Sequence, residues 1–224
     1  HQIKHLRLNH KVVVGSLAHT GTRRNAEDLQ RELGIKMMAP DHAAFQRNKE
    51  MLRAFLKGRP LSMGYFWNPE LRAFIDREFA KGQFDAVIVF SSSMAPYVES
   101  YKNIPRIMHF CDVDSQKWAS LAKKSNGLKR WIYARESKIL LEYERRIASQ
   151  FSASCVVSQN EAELFHEHIK GIPVHVIENG VDVEYFAAIP RKPDGLCIVF
   201  VGVMDYEPNV EAVSFFATVI WGNI

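Results

Sequence analysis

The sequence holds only three cysteines and no CxxC pair. Cys111, Cys155 and Cys197 each lie in or beside an apolar run, which favours buried, reduced thiols over a metal knuckle or a redox motif. No apolar run approaches the ~18–20 residues of a membrane span. We therefore expect a cytoplasmic protein whose thiols stay reduced.

Several motifs that hold phosphates or metals are also missing: GxGxxG, GxxxxGK[ST] and HExxH do not occur. Their absence argues against a Rossmann dehydrogenase, a P-loop NTPase and a zinc protease. No helix-turn-helix, zinc-finger or RNP pattern is present, so no nucleic-acid partner is expected. No metal site is expected either.

Acidic residues are scarce in the first two thirds of the chain. Residues 1–150 hold 26 Lys and Arg against 15 Asp and Glu, whereas residues 151–224 hold 3 against 10. With 47% apolar and 24% charged residues, the composition is that of a globular protein. The charge asymmetry suggests a basic surface that meets an anionic partner, although two differently charged surfaces without a partner would look the same.

Strand-like and helix-like segments alternate along the chain, which predicts an α/β fold with a doubly wound parallel sheet. Asp41 and Asn68 are candidate N-caps, and Gly34 is a candidate C-cap. The predicted strands are 11–17, 35–39, 84–90, 105–111, 153–157, 173–177 and 196–203. The predicted helices are 1–9, 22–33, 41–57, 68–81, 91–102, 115–124, 128–150, 160–170 and 209–221.

The sequence PRKPDG at 190–195 reads as a linker and predicts domains over 1–189 and 190–224. The second segment has room for one βα unit, which cannot bury a core alone. Its last residues follow an apolar helical pattern without a cap. We therefore expect a fragment whose second domain is truncated.

Polar residues follow two predicted strands, where ligands bind in parallel sheets. Ser91, Ser92 and Ser93 could hold a phosphate or a sugar hydroxyl of an acceptor, or one of them could simply cap a helix. Asp112 and Asp114 could polarise a nucleophilic hydroxyl, with Asp112 the better catalytic candidate because Asp114 is also a plausible helix cap.

His109 lies inside its predicted strand and is interpreted as a core histidine. After the next strand, Asn179-Gly180 is a turn signal that Asp182 could close by hydrogen bonds. On the residues alone, this segment is structural.

A glycine, Gly202, ends the last predicted strand, where it would let the backbone approach a ligand closely. Asp205 and Asn209 separate it from the following helix, whose N-terminus could face a diphosphate.

The order of strand, Asn-Gly-Val-Asp, linker, strand and glycine resembles GT-B fold glycosyltransferases of the family-four type. Six blocks, specific in order and spacing, resemble the sugar transferases of bacterial exopolysaccharide and PEP-CTERM export systems. They lie at 59–71, 84–98, 110–118, 130–137, 143–165 and 202–216.

The resemblance implies two Rossmann-like domains across a cleft, with the acceptor on the N-terminal domain and a nucleotide-sugar donor on the C-terminal one. It implies transfer to a saccharide or lipid-linked acceptor with retention of configuration, without metal or cofactor. Gly202 matches the family's donor-domain glycine, Asn179, Gly180 and Asp182 match the junction motif, and Asp112 and Asp114 match the acidic strand end.

The sequence departs from the family where many relatives have Gly-Arg-Leu, since it has Gly202-Val203-Met204 and lacks that arginine. The resemblance places a glycine-rich first strand before His1 and the distal donor site after Ile224. We therefore expect the 224-residue chain to have no transferase activity, which turnover of any nucleotide-sugar would contradict.

Aromatic and cationic residues cluster between 118 and 146 and suit the headgroup layer of an anionic membrane. Peripheral docking on the inner face of the plasma membrane would fit a membrane-bound acceptor. Equally, Trp118, Trp131 and Tyr133 could pack in the core above a solvated charged face. Two other functions stay open, namely a non-catalytic nucleotide- or sugar-binding module and a nucleotide-sugar epimerase of the same fold.

Overall fold

The computed structural model describes residues 2–18, 23–187, 197–204 and 207–223. It divides into two compact units, His1–Val181 and Asp182–Ile224. The predicted linker at 190–195 lies outside the described residues. The domain limits 1–189 and 190–224 therefore stay predictions.

The strands that the structure describes all pair in parallel. In one sheet, β1 (Val13–Gly15) pairs with β2 (Lys36–Met38). The strands of the second sheet are β3 (Val87–Phe90), β4 (Arg106–Cys111), β5 (Ala153–Val156) and β6 (His175–Val176), and they lie side by side in chain order. Helices connect successive strands, so the predicted α/β class with a parallel sheet is confirmed.

The α-helices of the larger unit are α1 (Gln2–Leu6), α2 (Arg23–Leu33), α3 (Ala44–Leu56), α4 (Leu61–Tyr65), α5 (Pro69–Phe79), α6 (Asp114–Lys123), α7 (Gly127–Gln150) and α8 (Gln159–His168). A 3₁₀ helix spans Ser92–Tyr97. The smaller unit has α9 (Glu207–Phe215), followed by a π-helical turn at Phe216–Ile220 and a 3₁₀ turn at Trp221–Asn223.

Local signals explain several of these boundaries. The Asn68 side chain accepts hydrogen bonds from the backbone N–H groups of Glu70 at 2.8 Å and Leu71 at 3.1 Å, and Pro69 is the first residue of α5. Gly34 follows α2 with a φ of 61°. Glycine adopts this left-handed conformation without steric cost, so the predicted stop is confirmed.

The core is centred on β4, which has a neighbouring strand on each side. Met108 and Phe110 of β4 are fully buried together with Leu140 and Ile147 of α7. The ring of Phe165 on α8 meets the Phe110 ring edge-on, with the centroids 5.3 Å apart. Burying a side chain of this size stabilises the fold by roughly 1.5–3 kcal/mol.

Tyr97, at the end of the 3₁₀ helix, is buried and connects this helix to the start of α5. Its hydroxyl accepts a hydrogen bond from the Asn68 N–H at 2.6 Å and donates one to the Phe66 carbonyl at 2.8 Å. The ring stacks on Trp67 at a centroid distance of 4.9 Å. One phenol hydroxyl thus supplies hydrogen-bond partners for two backbone groups that lie between α4 and α5, the Asn68 N–H and the Phe66 carbonyl.

Glu136 of α7 is fully buried and holds α4 in place. Its carboxylate accepts hydrogen bonds from the N–H groups of Leu61 at 2.7 Å and Ser62 at 2.9 Å, and from the Ser62 hydroxyl at 2.9 Å. The first N–H groups of a helix have no partner within it, so a carboxylate there is stabilising. A Cβ at Gly64 would lie 2.4 Å from the Glu50 carbonyl oxygen, so α4 packs against α3 only with glycine here.

Two predictions about local structure were wrong, and one short helix was missed. Asp41 does not cap α3, whose N-cap is Ala43 without a side-chain hydrogen bond. The short helix α4 was not predicted. The helix predicted at 91–102 is a 3₁₀ helix that ends at Tyr97, because Pro96 lacks an N–H and Ser91 has a φ of 66°. The helix predicted at 209–221 is confirmed, since α9 continues without a break into the π-helical turn and the 3₁₀ turn that ends at Asn223.

The strand predicted at 196–203, and with it the predicted βα unit, is not formed in the described residues 197–204. A strand is stabilised by pairing, and the described part of the smaller unit offers no second strand. Cys197 is consequently exposed, against the expectation of a buried thiol, whereas Cys155 is buried and Cys111 half-buried. None of the helices that the structure describes is long and apolar enough to cross a membrane.

We predict that Tyr97→Phe lowers the free energy of unfolding by about 1–3 kcal/mol, because the Asn68 N–H loses its partner in a buried site. Urea unfolding followed by circular dichroism measures this. Tyr133→Phe is the control, since the half-buried Tyr133 hydroxyl has no hydrogen-bond partner among the described residues. Equal stability of the two variants would contradict the assigned role of Tyr97.

Candidate functional site

The candidate site is the edge of the sheet where β3, β4, β5 and β6 end. Because these strands are parallel, their carboxyl ends lie at the same edge, which is where ligands bind in sheets of this kind. The segments that leave this edge carry the predicted residues Ser91–Ser93, Asp112, Asp114, Asn179 and Gly180.

Two neighbouring strands end in backbone conformations that non-glycine residues rarely adopt. Ser91 after β3 has a φ of 66°, and Cys111 at the end of β4 has a φ of 62°. The Asp112 N–H donates to the Phe110 carbonyl at 2.9 Å, which makes a γ-turn around Cys111. The pairing register with β5 shifts at the same point. Such strain costs roughly 1–3 kcal/mol per residue and clusters at functional sites.

The structure brings Ser91 and Asp114 together. The Ser91 hydroxyl lies 3.4 Å from Oδ2 of Asp114, to which it donates, and it is also 3.4 Å from the Ser93 N–H, which donates to it. Burial raises the pKa of Asp114, while the Lys117 charge and the Ser91 hydroxyl oppose this rise. A serine and a carboxylate predicted as separate features thus form one pair.

Asp112 and Asp114 differ in environment. Asp112 is exposed at the turn, whereas Asp114 is half-buried. Asp114 does not cap α6, as one interpretation of the sequence had it, because it is the first helical residue and Val113 is the N-cap. The Val113 N–H instead donates to Glu161 of α8 at 2.9 Å, so a carboxylate from the neighbouring strand–helix unit holds this loop.

Ser92 and Ser93 are buried, so Ser91 is the most accessible of the three serines predicted to bind the acceptor. Behind them lies Glu144 of α7, which is fully buried and accepts a hydrogen bond from the Ser115 N–H at 3.3 Å. Burial raises the pKa of Glu144 to about 8, although the hydroxyls of Ser115 and Ser92 partly oppose it. This carboxyl is therefore largely protonated near neutral pH.

His109 is buried in β4, which confirms its interpretation as a core histidine. Its Nδ1 accepts a hydrogen bond from the Cys111 N–H at 3.2 Å, and its ring stacks on Phe90 at a centroid distance of 4.8 Å. Burial lowers its pKa, so the imidazole is neutral at pH 7. A neutral imidazole adds no charge to the loop that carries Asp112 and Asp114.

The junction segment is exposed in the larger unit. Asn179 and Gly180 follow β6 along the same edge, and a Cβ at Gly180 would meet no atom within 4 Å. Asp182 begins the smaller unit, where its carboxylate accepts a hydrogen bond from the Tyr185 N–H at 2.9 Å and closes a turn. The structure thus leaves the Asn179 side chain open to solvent.

In the smaller unit, Gly202 and Asn209 lie side by side. A Cβ at Gly202 would be 2.9 Å from Nδ2 of Asn209, so any larger residue would displace that side chain. Nδ2 of Asn209 donates to the Val203 carbonyl at 2.9 Å. Asp205, also predicted to bind the donor, lies outside the described residues.

Two carboxylates were missed from the sequence. Glu161 follows Ser158 with the spacing of a capping box, and the Ser158 hydroxyl indeed accepts from the Glu161 N–H at 3.2 Å, so this signal was available. Glu144 also had a signal in helical spacing, since it lies four residues after Leu140 and three before Ile147 on the buried face of α7, whereas Glu142 is exposed. In the described part of the chain, no group of three or more His, Cys, Asp or Glu side chains could hold a metal ion.

Comparison with known proteins gives one family. The family model of Glycosyltransferase Family 4 matches residues 4–185, which is most of the chain and includes the whole sheet edge described above. No curated protein matches the chain.

We predict that Glu144→Gln stabilises the protein at high pH. The raised pKa means that the folded state holds a proton that the unfolded state releases above its ordinary pKa. Glu144 therefore contributes stability that is complete at low pH and is lost as pH rises through about 8. At pH 8.5 the amide should raise Tm by about 3 °C, or roughly 1 kcal/mol in a domain of this size.

Thermal unfolding between pH 5 and pH 9 measures this difference. The matched control is Glu142→Gln on the same helix, because Glu142 is exposed and its substitution makes the same chemical change. If both variants shift Tm equally at every pH, the effect is one of net charge and not of the buried carboxyl.

Proposed function

The chain belongs to glycosyltransferase family 4, and from this membership we propose that it serves the transfer of a sugar from a nucleotide-sugar to a saccharide or lipid-linked acceptor in bacterial exopolysaccharide synthesis. The observation that carries the proposal is the strained sheet edge, at which Ser91, Asp112 and Asp114 converge within the matched residues. The exopolysaccharide setting rests on the sequence blocks that resemble that subgroup.

In this proposal the acceptor lies against the edge of the larger unit, and Asp112 accepts a hydrogen bond from its attacking hydroxyl. The bond between the sugar C1 and the diphosphate oxygen breaks, the bond from C1 to the acceptor oxygen forms, and the acceptor proton leaves. A carboxylate that orients and takes up this proton contributes about 10²–10⁴-fold to the rate. The exposed Asp112 is open to such a substrate, whereas Asp114 is engaged by Ser91.

The residues proposed to bind the donor are Gly202, Asn209 and Asp205 in the second segment and, on the larger unit, Asn179 and Gly180. Because Gly202 has no Cβ, the Asn209 side chain fits against its backbone, where the amide would donate to a diphosphate oxygen. We propose that the acceptor oxygen bonds to the face of C1 that the diphosphate leaves, so that configuration is retained, and that transfer needs no metal ion or cofactor. Residues 190–224 are proposed to belong to the donor domain.

We predict that Asp112→Asn lowers kcat/KM by about 10²-fold or more and leaves the folded state intact, since the side chain is exposed. The full-length protein is incubated with radiolabelled UDP-glucose or GDP-mannose and a membrane extract, and the products are separated. Asp85→Asn is the matched control, because Asp85 is an exposed aspartate just before β3, away from the carboxyl ends of the strands.

The products of this assay also distinguish sugar transfer from the two other candidate functions. A labelled acceptor with free nucleoside diphosphate supports transfer. An isomeric nucleotide-sugar identifies an epimerase, and unchanged substrate that nonetheless binds identifies a binding module. Equal transfer by wild type and Asp112→Asn would contradict the role of Asp112.

We further propose that residues 118–146 dock on an anionic membrane, which would place the protein at the inner face of the plasma membrane near a lipid-linked acceptor. Trp118 and Tyr133 are half-buried and contact each other at a centroid distance of 5.3 Å, so they belong partly to the core. Leu128 and Trp131, by contrast, are exposed among the exposed cations Lys129 and Arg130. Such a mixture of apolar and basic groups suits a headgroup layer.

We predict that the double variant Lys129→Glu/Arg130→Glu weakens binding to phosphatidylglycerol vesicles by roughly tenfold or more, because each basic residue near an anionic surface contributes about 1 kcal/mol. Co-sedimentation at low salt measures this. The control is Lys170→Glu, an exposed lysine outside the segment. Equally strong binding to anionic and to uncharged vesicles would contradict the proposal.

A further inference from the structure

Helix α3 carries an apolar stripe on its solvent side. Phe45, Lys49, Leu52 and Leu56 follow one another at intervals of four, three and four residues, so they share one face of the helix. Phe45 is 82%, Leu52 60% and Leu56 75% exposed, although this spacing is normally that of a buried face. Clusters of exposed apolar side chains of this kind mark surfaces that meet a partner.

The stripe continues onto the start of α7. The rings of Phe55 and Trp131 are in edge contact at 6.3 Å, and the Arg135 guanidinium lies 4.5 Å from the Phe55 centroid while donating to its carbonyl at 3.3 Å. These contacts place the end of α3 beside the first turns of α7. Leu128, 72% exposed, lies one turn before Trp131, which is 55% exposed.

The charge around this surface has one sign. Between Ser115 and Arg135 the chain has six Lys and Arg and no acidic residue, and between Met51 and Pro69 it has three and none. Of the acidic residues that border these two segments, Glu50 and Glu136 are buried, Asp114 is half-buried, and Glu70 is exposed at the start of α5. Glu50 accepts hydrogen bonds from Arg53 at 2.6 Å and Gln46 at 3.1 Å, so its charge is compensated within the helix.

We propose that α3 and the start of α7 together form a docking face for an anionic lipid surface, with Phe45, Leu52 and Leu56 entering the headgroup layer. The inference rests on the proposed membrane association through residues 118–146 and extends it to a helix outside that segment. A second copy of the chain fits this face poorly, because a two-fold contact would set the same cations against one another. Anionic headgroups would neutralise them.

The test uses vesicles of phosphatidylglycerol and phosphatidylcholine, and vesicles of phosphatidylcholine alone, with the 224-residue chain. Leu52→Ser/Leu56→Ser should bind the anionic vesicles roughly tenfold more weakly than wild type, because two leucines no longer enter the interface. Leu8→Ser is the matched control, since Leu8 is 68% exposed and lies outside both helices, and it should bind like wild type.

A second variant, Lys49→Glu/Lys57→Glu, tests the charge separately and should also reduce binding by roughly tenfold at low salt. All substituted side chains are exposed, and thermal unfolding verifies that the variants fold.

The outcomes separate the two membrane proposals. If L52S/L56S binds like wild type while K129E/R130E has lost binding, α3 does not take part and docking through 118–146 stands. If wild type does not bind anionic vesicles, both membrane proposals fail, and sugar transfer to a soluble acceptor is judged independently. If wild type forms a dimer that L52S/L56S abolishes, the face is an interface between copies and the lipid inference is overturned.

Discussion

One buried carboxylate, that of Glu136, holds the helix pair α3–α4 against α7. It accepts three hydrogen bonds from Leu61 and Ser62 at the start of α4. A buried carboxylate is tolerated only with such partners, since removing them would leave its charge uncompensated. The position of α3 beside α7 therefore depends on this residue, and the apolar stripe of α3 with it.

Helix α7 extends this dependence to the sheet edge. Trp131 lies at its exposed start, Leu140 and Ile147 are in the core, and Glu144 lies under the segment with the three serines. Because a helix is stiff over this length, the proposed lipid-facing surface and the rear of the candidate site have a fixed separation. The positions of the acceptor and of the membrane relative to the protein would thus both depend on α7.

The features predicted correctly from the sequence were those whose cause is local. Asn68 and Gly34 mark helix ends through their own side chain or lack of one, and four of the six β4 residues are apolar. Most of the features missed depend on residues distant in the chain, although Glu161 and Glu144 had local signals in a capping box and in helical spacing. The strand predicted at 196–203 needs a partner strand, and the burial of Glu144 depends on Ser92 and Ser115 arriving from other segments. The strain at Ser91 and Cys111 likewise has no signature in residue type.

The three free thiols differ in solvent exposure, so their reactivity reports which part of the protein has unfolded. Cys197 in the smaller unit is exposed, whereas burial raises the pKa values of Cys111 and Cys155 in the larger unit and so reduces their thiolate content. A thiol reagent will modify Cys197 in the folded state and Cys155 only after the sheet around β5 separates. The order of alkylation along a denaturant series therefore records the unfolding of the larger unit without any introduced label.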